Sequence, residues 1–458
     1  MPRTEPARGM RDFLPEDIRR REHVIGVIRR VYERYGFEPL ETPAVENLET
    51  LMGKYGEEGN QLIFKILKRG EHEASGEADL ALRYDLTVPL ARVVAQYRSK
   101  LPRLFKRYQI QPVWRADRPA RGRFREFYQC DVDSLGSSSP AVEAEMCAAV
   151  TDALKDLGFT DFEIRINHRD LLTHLLNSAD IAPALHGATL VALDKMDKIG
   201  RHGVEKELDQ RGVSQISTNW LLGFFHDSVA DGLGTAGADV SCAALGVVDA
   251  VASDHVDGSV GYAGRENLRK ILTLCENTSA AERMRWDPFL ARGLSYYTGA
   301  IFEINVPDLA GSLGGGGRYD NLVGMFLGQS VPACGFSLGL ERILVVMAER
   351  GMFPPSLART SADVMVAVFD AADAPHGLRV AGLLRQSGLR VLVYPDADKV
   401  GKQIKYADSL GIPFVAILGG NEIAAGTVTI KNLAAQTQVT YDQAAAAGAI
   451  LEGLKQRG

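Results

Sequence analysis

Residues 351–362 (GMFPPSLARTSA) separate two stretches of unlike rhythm, and that change most limits what the chain can fold into. After it, VMVAVF reads as an apolar strand, HGLRVAGLLRQSG as a helix stopped at Gly388, and LRVLVYP as a strand. DKVGKQIKYADSLG then reads as a second helix and PFVAIL as a third strand. Strands and helices alternating at this spacing predict a small α/β domain with a mostly parallel sheet over residues 363–458. Before the break the pattern differs. Between about residues 64 and 133, LIFKILKRG, ADLALRYDL, YQIQPVWRAD and RFREFYQCDVD alternate as strands that suit an open antiparallel sheet with one face left bare. At 458 residues the chain exceeds what one core organises. Residues 351–362 are therefore expected to be a linker.

Upstream, residues 15–35 predict an amphipathic helix. Ile18, Ile25, Ile28, Tyr32 and Tyr35 recur at helical spacing, Glu16 and Asp17 sit in the first turn, and Gly36 can end it. Pro39 and Pro43 keep the next segment out of a central strand position. Residues of about 173–285 are rich in Ala, Leu and charge, and predict a mostly helical insertion. Strand character is expected again over 289–304 and near 335–338, followed by a helix from Leu340. The expected fold is thus an α+β core in residues 1–350, with an antiparallel sheet flanked by helices, plus the helical insertion and the C-terminal α/β domain.

Composition excludes several classes. The chain is 46% apolar and 24% charged, as ordinary globular proteins are. No run of about 18 apolar residues predicts a membrane span, and MPRTEPARGMRD lacks the apolar core of a signal peptide, so a cytoplasmic protein is expected. Five scattered cysteines without CxxC, and nine histidines without HxxxH or HxH, predict neither disulfides nor a metal site. The net charge of −6 argues against a generally basic nucleic-acid coat. Yet residues 98–125 hold ten Lys/Arg against the single acid Asp117. That is either a solvated basic face or a strip that handles phosphates of a nucleotide or of RNA.

Four segments carry candidate chemistry. In VWRADRPARGRFREF (113–127), an arginine at the end of a strand can hold a phosphate with fixed two-pronged geometry, while the loop arginines stay available to a longer polyanion. In LARGLSYYTG (290–299), Arg292 stands in an apolar, aromatic stretch. Its charge is tolerable there only beside an anion, whether an internal carboxylate or a substrate. The run Gly314-Gly315-Gly316-Gly317-Arg318-Tyr319-Asp320 suits close backbone approach to a ligand or, more commonly, a flexible turn; no GK[ST] follows, so it is not a Walker loop. GFSLGLER (335–342) reads as a strand entering a helix, with Glu341 and Arg342 in its first turns.

Together and in this order, these segments resemble the three motifs of class II aminoacyl-tRNA synthetases. LRYDLTVPLAR, FREFYQCDVD, ARGLSYYTG and GGGGRYDNLVGMF are specifically similar to histidyl-tRNA synthetases. The resemblance runs from Gly9-Met10-Arg11-Asp12 through GKQIKYAD (401–408), whose domain is similar to the family's anticodon-binding domain; only 173–285 is weakly covered. It implies a class II catalytic domain in 1–350 that activates histidine with ATP, accompanied by Mg2+, and charges tRNA(His). Arg115 would hold the α-phosphate, Asp117 would lie near the adenine, Arg123 near the γ-phosphate, and Arg342 would stack on the base. Arg292 would bridge the histidine carboxylate and the α-phosphate as they approach. Asp85, Thr87 and Gln129 would receive the α-amino group, Asp133 and Tyr297 the imidazole, and Tyr296 and Tyr319 would wall the pocket. The helix of 15–35 and the Pro43 strand resemble motif 1, which implies a homodimer.

The sequence departs from the family where Ser295 replaces the usual Asp and Asp117 the usual Glu, and where Ala120 leaves no polar group to read the tRNA acceptor end. Two related readings compete. The regulatory paralogue of ATP phosphoribosyltransferase shares the core, but generally lacks the C-terminal domain and the arginines kept here at 115, 123, 292 and 342. Synthetases for threonine, proline or glycine share the last domain but not RGLSYYTG. A purely structural nucleic-acid adaptor would explain the basic strip and leave Arg292 unaccounted for.

Overall fold

The computed structural model describes every residue except 1–3, 71–74, 229–258, 292–295, 359–361, 397 and 457–458, and omits the side chains of 56–58, 197–198, 225–228, 259–262 and 358. It forms two compact units, residues 1–12 with 21–352, and residues 13–20 with 353–458.

The first unit is built on an eight-stranded sheet. Its strands are β1 (Glu38–Pro39), β5 (Phe105–Trp114), β6 (Glu126–Leu135), β7 (Glu163–His168), β8 (Met284–Trp286), β9 (Ala300–Asn305), β10 (Gly314–Arg318) and β11 (Ala333–Gly339). They run in the order β1-β5-β6-β11-β10-β9-β7-β8. The two outermost pairs are parallel and the other pairs antiparallel. β2 (Val45–Asn47), β3 (Lys65–Leu67) and β4 (Ala78–Leu82) form a separate small sheet. LIFKILKRG and ADLALRYDL are thus strands but no part of the main floor. The chain leaves β4 at Leu82 and enters helix α2 (Thr87–Tyr97), whose Val88, Leu90, Ala91 and Val94 are buried.

Helix α1 (Pro15–Arg34) buries Val24, Ile28, Val31 and Tyr32, with Glu16 and Asp17 in the first turn where acids suit the helix dipole. The Tyr32 hydroxyl donates to the carbonyl of Cys130 on β6. Helix α3 (Ala141–Asp156) packs on β11, and α9 (Leu340–Glu349) on β6. Among the described residues the expected insertion is helical: α4 (Arg169–Ser178), α5 (Pro183–Leu193), α6 (Met196–Gln210), α7 (Gln215–Ser228) and α8 (Ser259–Cys275). Leu172, Leu176, Leu193, Val204, Leu208 and Leu221 make its core.

Two expectations are corrected. Among the described residues of 289–304 the strand begins at Ala300; Leu290 closes a turn on Asp287, and Tyr296–Gly299 carry no strand pairing. The four glycines are not a flexible turn but strand β10, paired on both sides. A Cβ at Gly316 would lie 2.1 Å from the Gly335 carbonyl oxygen, so side chains are excluded by the neighbouring strand.

The second unit holds β12 (Val364–Val368), β13 (Val391–Val393) and β14 (Phe414–Leu418), paired in parallel, with helices α10 (Ala374–Gln386) and α11 (Val400–Ser409) between them. Val364, Val366 and Val368 face one core, while Met365 and Ala367 face the other, as a strand covered on both sides requires. Buried Gln403 of α11 ties the second core down by donating to the carbonyls of Val368 and Asp398. The sheet is mixed, because β15 (Thr427–Asn432) and β16 (Thr437–Asp442) extend it antiparallel before α12 (Ala446–Lys455).

Candidate active site

Period-two alternation gives the central strands of the large sheet two unlike faces. Tyr108, Ile110, Cys130, Val132, Phe336 and Leu338 share one face, the side on which α1 touches β6. The opposite face carries Arg107, Gln109, Gln111 and, past the strand end, Arg115. It continues with Gln129, Asp131 and Asp133, and with Ser337 of β11. The register sets Arg107 opposite Asp133, Gln109 opposite Asp131, and Asp131 opposite Ser337. Burying so many polar groups is unfavourable unless they meet one another or a ligand.

At one end of this floor three carboxyls gather. Asp85 accepts hydrogen bonds from Tyr55 Oη at 3.0 Å, from Tyr296 Oη at 3.1 Å and from the N–H of Val88 at 3.0 Å. Thr87 adds a side-chain bond to Tyr296. Burial raises the Asp85 pKa, and the Val88 N–H and the Arg115 charge oppose that rise. Asp133 lies 2.7 Å from Nη2 of Arg107 and accepts from the Tyr319 hydroxyl. Gly335 makes its seat: a Cβ there would stand 2.0 Å from Asp133 Oδ1. Gly317 likewise clears the ring of Tyr297, 2.9 Å from where its Cβ would be. Asp131 is 4.0 Å from the same guanidinium, and its Oδ1 has no hydrogen-bond partner. Gln129 donates to Ser337 Oγ at 2.9 Å and leaves its own carbonyl oxygen open.

At the other end stands Arg115. Its Nε donates to the carbonyl of Tyr84 at 3.0 Å, and its guanidinium lies 4.4 Å from the Tyr84 ring centroid and 5.2 Å from that of Phe127. Two aromatic faces hold the fork in one orientation. The loop beyond it closes through paired backbone bonds between Ala120 and Arg123. Arg123 is 4.0 Å from Asp117, and Gly122 rests on the side chain of Arg342, whose Nη1 donates to the Ser312 carbonyl. Not all the loop arginines are available to a polyanion: Arg121 is forked onto Glu349 and also donates to the Asp308 carbonyl. Glu341 is structural, since it takes 2.8 Å bonds from Arg21 and from the backbone of Tyr128.

The structure thus brings Asp85, Thr87, Gln129, Asp133, Tyr296, Tyr297 and Tyr319 to one end of the floor, and Arg115, Asp117, Arg123 and Arg342 to the strand-end hairpin and helix α9. Tyr296 and Tyr319 do more than wall the pocket, because their hydroxyls hold two of its carboxyls. Arg292 and Ser295 lie outside the described residues. Sequence reading missed Arg107, Asp131, Ser337 and Tyr55. The first three were legible as polar residues at alternate positions of strong strands; no local signal marks Tyr55. Among the described residues, no group of three His, Cys, Asp or Glu side chains is placed to hold a metal, and no helix is long and apolar enough to cross a membrane.

Desolvation makes Asp131 titrate high, at about 7 against an ordinary 3.8; Arg107 opposes the rise and Asp133 adds to it. Because the folded pKa is raised, the unfolded chain releases this proton first as pH climbs. Asp131 therefore lowers stability increasingly from about pH 4 to neutrality, and evenly above that. Asp131→Asn is expected to melt higher than the parent at pH 8, by roughly 1–3 kcal/mol, with the gain fading towards pH 4. Melts at several pH values check this.

A polar-faced antiparallel sheet, a strand-end arginine with its basic hairpin, and an arginine opening the following helix define a class II aminoacyl-tRNA synthetase core. A family model described as histidyl-tRNA synthetase matches residues 9–343, and one described as anticodon binding domain matches 363–453. A histidine–tRNA ligase of Cytophaga hutchinsonii is 40% identical, over 95% of this chain and 97% of its own. One from Gloeobacter violaceus is 39% identical over 94% of each. The crystal structure of histidyl-tRNA synthetase from Nostoc sp. PCC 7120 superposes with a TM-score of 0.79 at 32% identity, covering 99% of this chain and 100% of that one. The chain belongs to the histidyl-tRNA synthetase family.

Proposed function

We infer that the chain is a working aminoacyl-tRNA ligase that activates histidine with ATP to histidyl-adenylate and transfers the histidyl group to tRNA(His). The observation that carries this reading is the floor itself: a carboxyl-rich end that fits a cationic amino acid, continuous with an oriented arginine that fits a phosphate. Asp85, Thr87 and Gln129 receive the α-ammonium group, and Asp133 with Tyr297 receives the imidazole. The histidine carboxylate is thereby aimed towards Arg115. Its oxygen attacks the α-phosphorus, the bond to the bridging oxygen breaks, and pyrophosphate leaves. Arg115 stabilises the charge that develops on the α-phosphoryl oxygens, and being held on two rings it need not reorganise to do so. The family resemblance adds Arg292 between the two anions. Asp117 lies by the adenine, Arg342 stacks on it, and Arg123 meets the γ-phosphate. Mg2+ arrives as the counter-ion of ATP.

Residues 1–350 form the catalytic domain, 351–362 the linker and 363–458 the anticodon-binding domain. The enzyme is a homodimer through the motif 1 segment and works in the cytoplasm. Residues 361–458 carry nine Lys/Arg and nine Asp/Glu, so their grip on tRNA depends on stacking and hydrogen bonds to loop bases more than on charge. Cutting the chain within 351–362 is expected to leave histidyl-adenylate formation and to cripple tRNA charging. Charging kinetics unchanged after removal of 363–458 would contradict this division.

A further inference from the structure

We propose that Gly9 and Arg11 are positioning residues for ATP: their segment clasps the hairpin of residues 115–125 and sets where Asp117 and Arg123 stand. The inference rests on the ATP reading of that hairpin given above and deepens it.

The hairpin depends on other parts of the chain for its shape. It joins β5, which ends at Trp114, to β6, which starts at Glu126. Its own backbone bonds close the base, from the Arg115 N–H to the Arg125 carbonyl, and the tip, between Ala120 and Arg123. Between base and tip, partners come from elsewhere. The Ala116 N–H donates to the carbonyl of Leu62, and the Arg125 N–H donates to the carbonyl of Gly9 at 2.8 Å. Pro119 has no N–H to give. Gly9 thus supplies, on the returning arm, the acceptor that a facing strand would supply in a regular ladder.

Shape makes this contact specific. Gly9 has a φ of +83°, and a Cβ there would lie 2.8 Å from Cγ of Arg125 and 3.0 Å from Cγ of Pro119. Bare backbone therefore rests on both arms at once, on Pro119 going out and on Arg125 coming back. The same Arg125 side chain ties the arms together, since its Nε donates to the Asp117 carbonyl at 3.1 Å. Whatever displaces Gly9 displaces Arg125 and, through it, Asp117.

Arg11 grips the next residue along. Its guanidinium carbon lies 3.4 Å from the ring centroid of Phe124, which is half-buried and adjoins Arg123 in the chain. Residues 115–125 already carry five arginines against the single acid Asp117. Even with Arg121 paired to Glu349, charge alone would keep a further arginine away. The ring is what brings Arg11 there, and the contact steadies Phe124 beside Arg123. Bound ATP relieves the crowding of positive charge, so the clasp and the nucleotide favour each other.

The test uses the full-length chain in ATP–pyrophosphate exchange, varying ATP at saturating histidine and then histidine at saturating ATP, beside a thermal melt. Gly9→Ala is expected to raise the ATP KM about tenfold or more, the scale of backbone strain at one residue. Arg11→Ala should raise it by about 3–5-fold, the scale of an exposed cation–π contact. Both should keep the histidine KM within about twofold and the melt within about 2 °C, as surface changes do. In a Phe124→Ala background, removing Arg11 as well should raise the ATP KM no further, because the two act through one contact. Losses that multiply in the double variant would show Arg11 acting by its charge alone, and would overturn the proposal. An ATP KM unchanged in Gly9→Ala and Arg11→Ala would overturn it too. So would ATP and histidine KM values that rise in parallel with a lower melt, which mark a merely structural role. An ATP KM that Arg123→Ala leaves unchanged would instead remove the ATP reading of the hairpin, and the proposal with it.

Discussion

Arg115→Ala is expected to keep its fold and lose adenylate formation by about 10²–10³-fold, the usual consequence of removing one preorganised charge-stabilising group. The folded enzyme uses this side chain lightly. Nε bonds one carbonyl, that of Tyr84, and the guanidinium rests on the rings of Tyr84 and Phe127. Losing that bond costs about 0.5–1.5 kcal/mol, so the melt should move only a little. Arg115→Lys should recover little activity, because an ammonium cannot present a fork and stacks less well on the two rings. Single-turnover adenylate formation beside a thermal melt separates the cases. A variant that melts far lower, while its folded fraction turns over normally, would make Arg115 a structural residue.

Arg107→Ala should do the reverse and destabilise the fold by roughly 3–5 kcal/mol, since it removes the buried partner of a buried carboxylate. Arg107 is fully buried, with Asp133 at 2.7 Å and Asp131 at 4.0 Å from Nη2. Both acids already titrate above their ordinary value through desolvation, and Arg107 is what holds that rise back. Without it their folded pKa values climb further. A raised carboxyl pKa lowers stability as pH rises from the unfolded value near 4 through the folded one. The deficit should therefore be smaller at pH 5 than at pH 8. Denaturant unfolding at both pH values checks the sign; an equal loss at the two would mean that packing, not charge, is what Arg107 supplies.

Much of this architecture was legible because it rests on periodicity. The three parallel strands after residues 351–362, the Pro15 helix and the described helices of 173–285 follow from apolar spacing that neighbours do not override. The β15–β16 hairpin escaped because TVTIKN and TQVTYD flank LAAQ without a strong turn signal, and β16 is mostly exposed. The glycines of β10 misled for a physical reason: glycine normally marks a turn, but here the neighbouring strands leave no room for a Cβ. The stretch after Leu290 misled because apolar and aromatic residues suit a pocket wall as well as a strand. In the site, Asp85, Thr87, Gln129, Asp133, Tyr296, Tyr297 and Tyr319, named by family resemblance, lie at one end of the floor and Arg292 lies outside the described residues, while Asp131 and Arg107 were visible only as alternation in β5 and β6. Tyr55 reaches Asp85 through tertiary packing alone, which no local pattern encodes.

This floor is expected to activate histidine and no other amino acid. ATP–pyrophosphate exchange measured with each of the twenty amino acids in turn, with ATP and Mg2+ present, tests it directly. Exchange supported by histidine alone is the expected result; exchange with proline, threonine or glycine and none with histidine would contradict it.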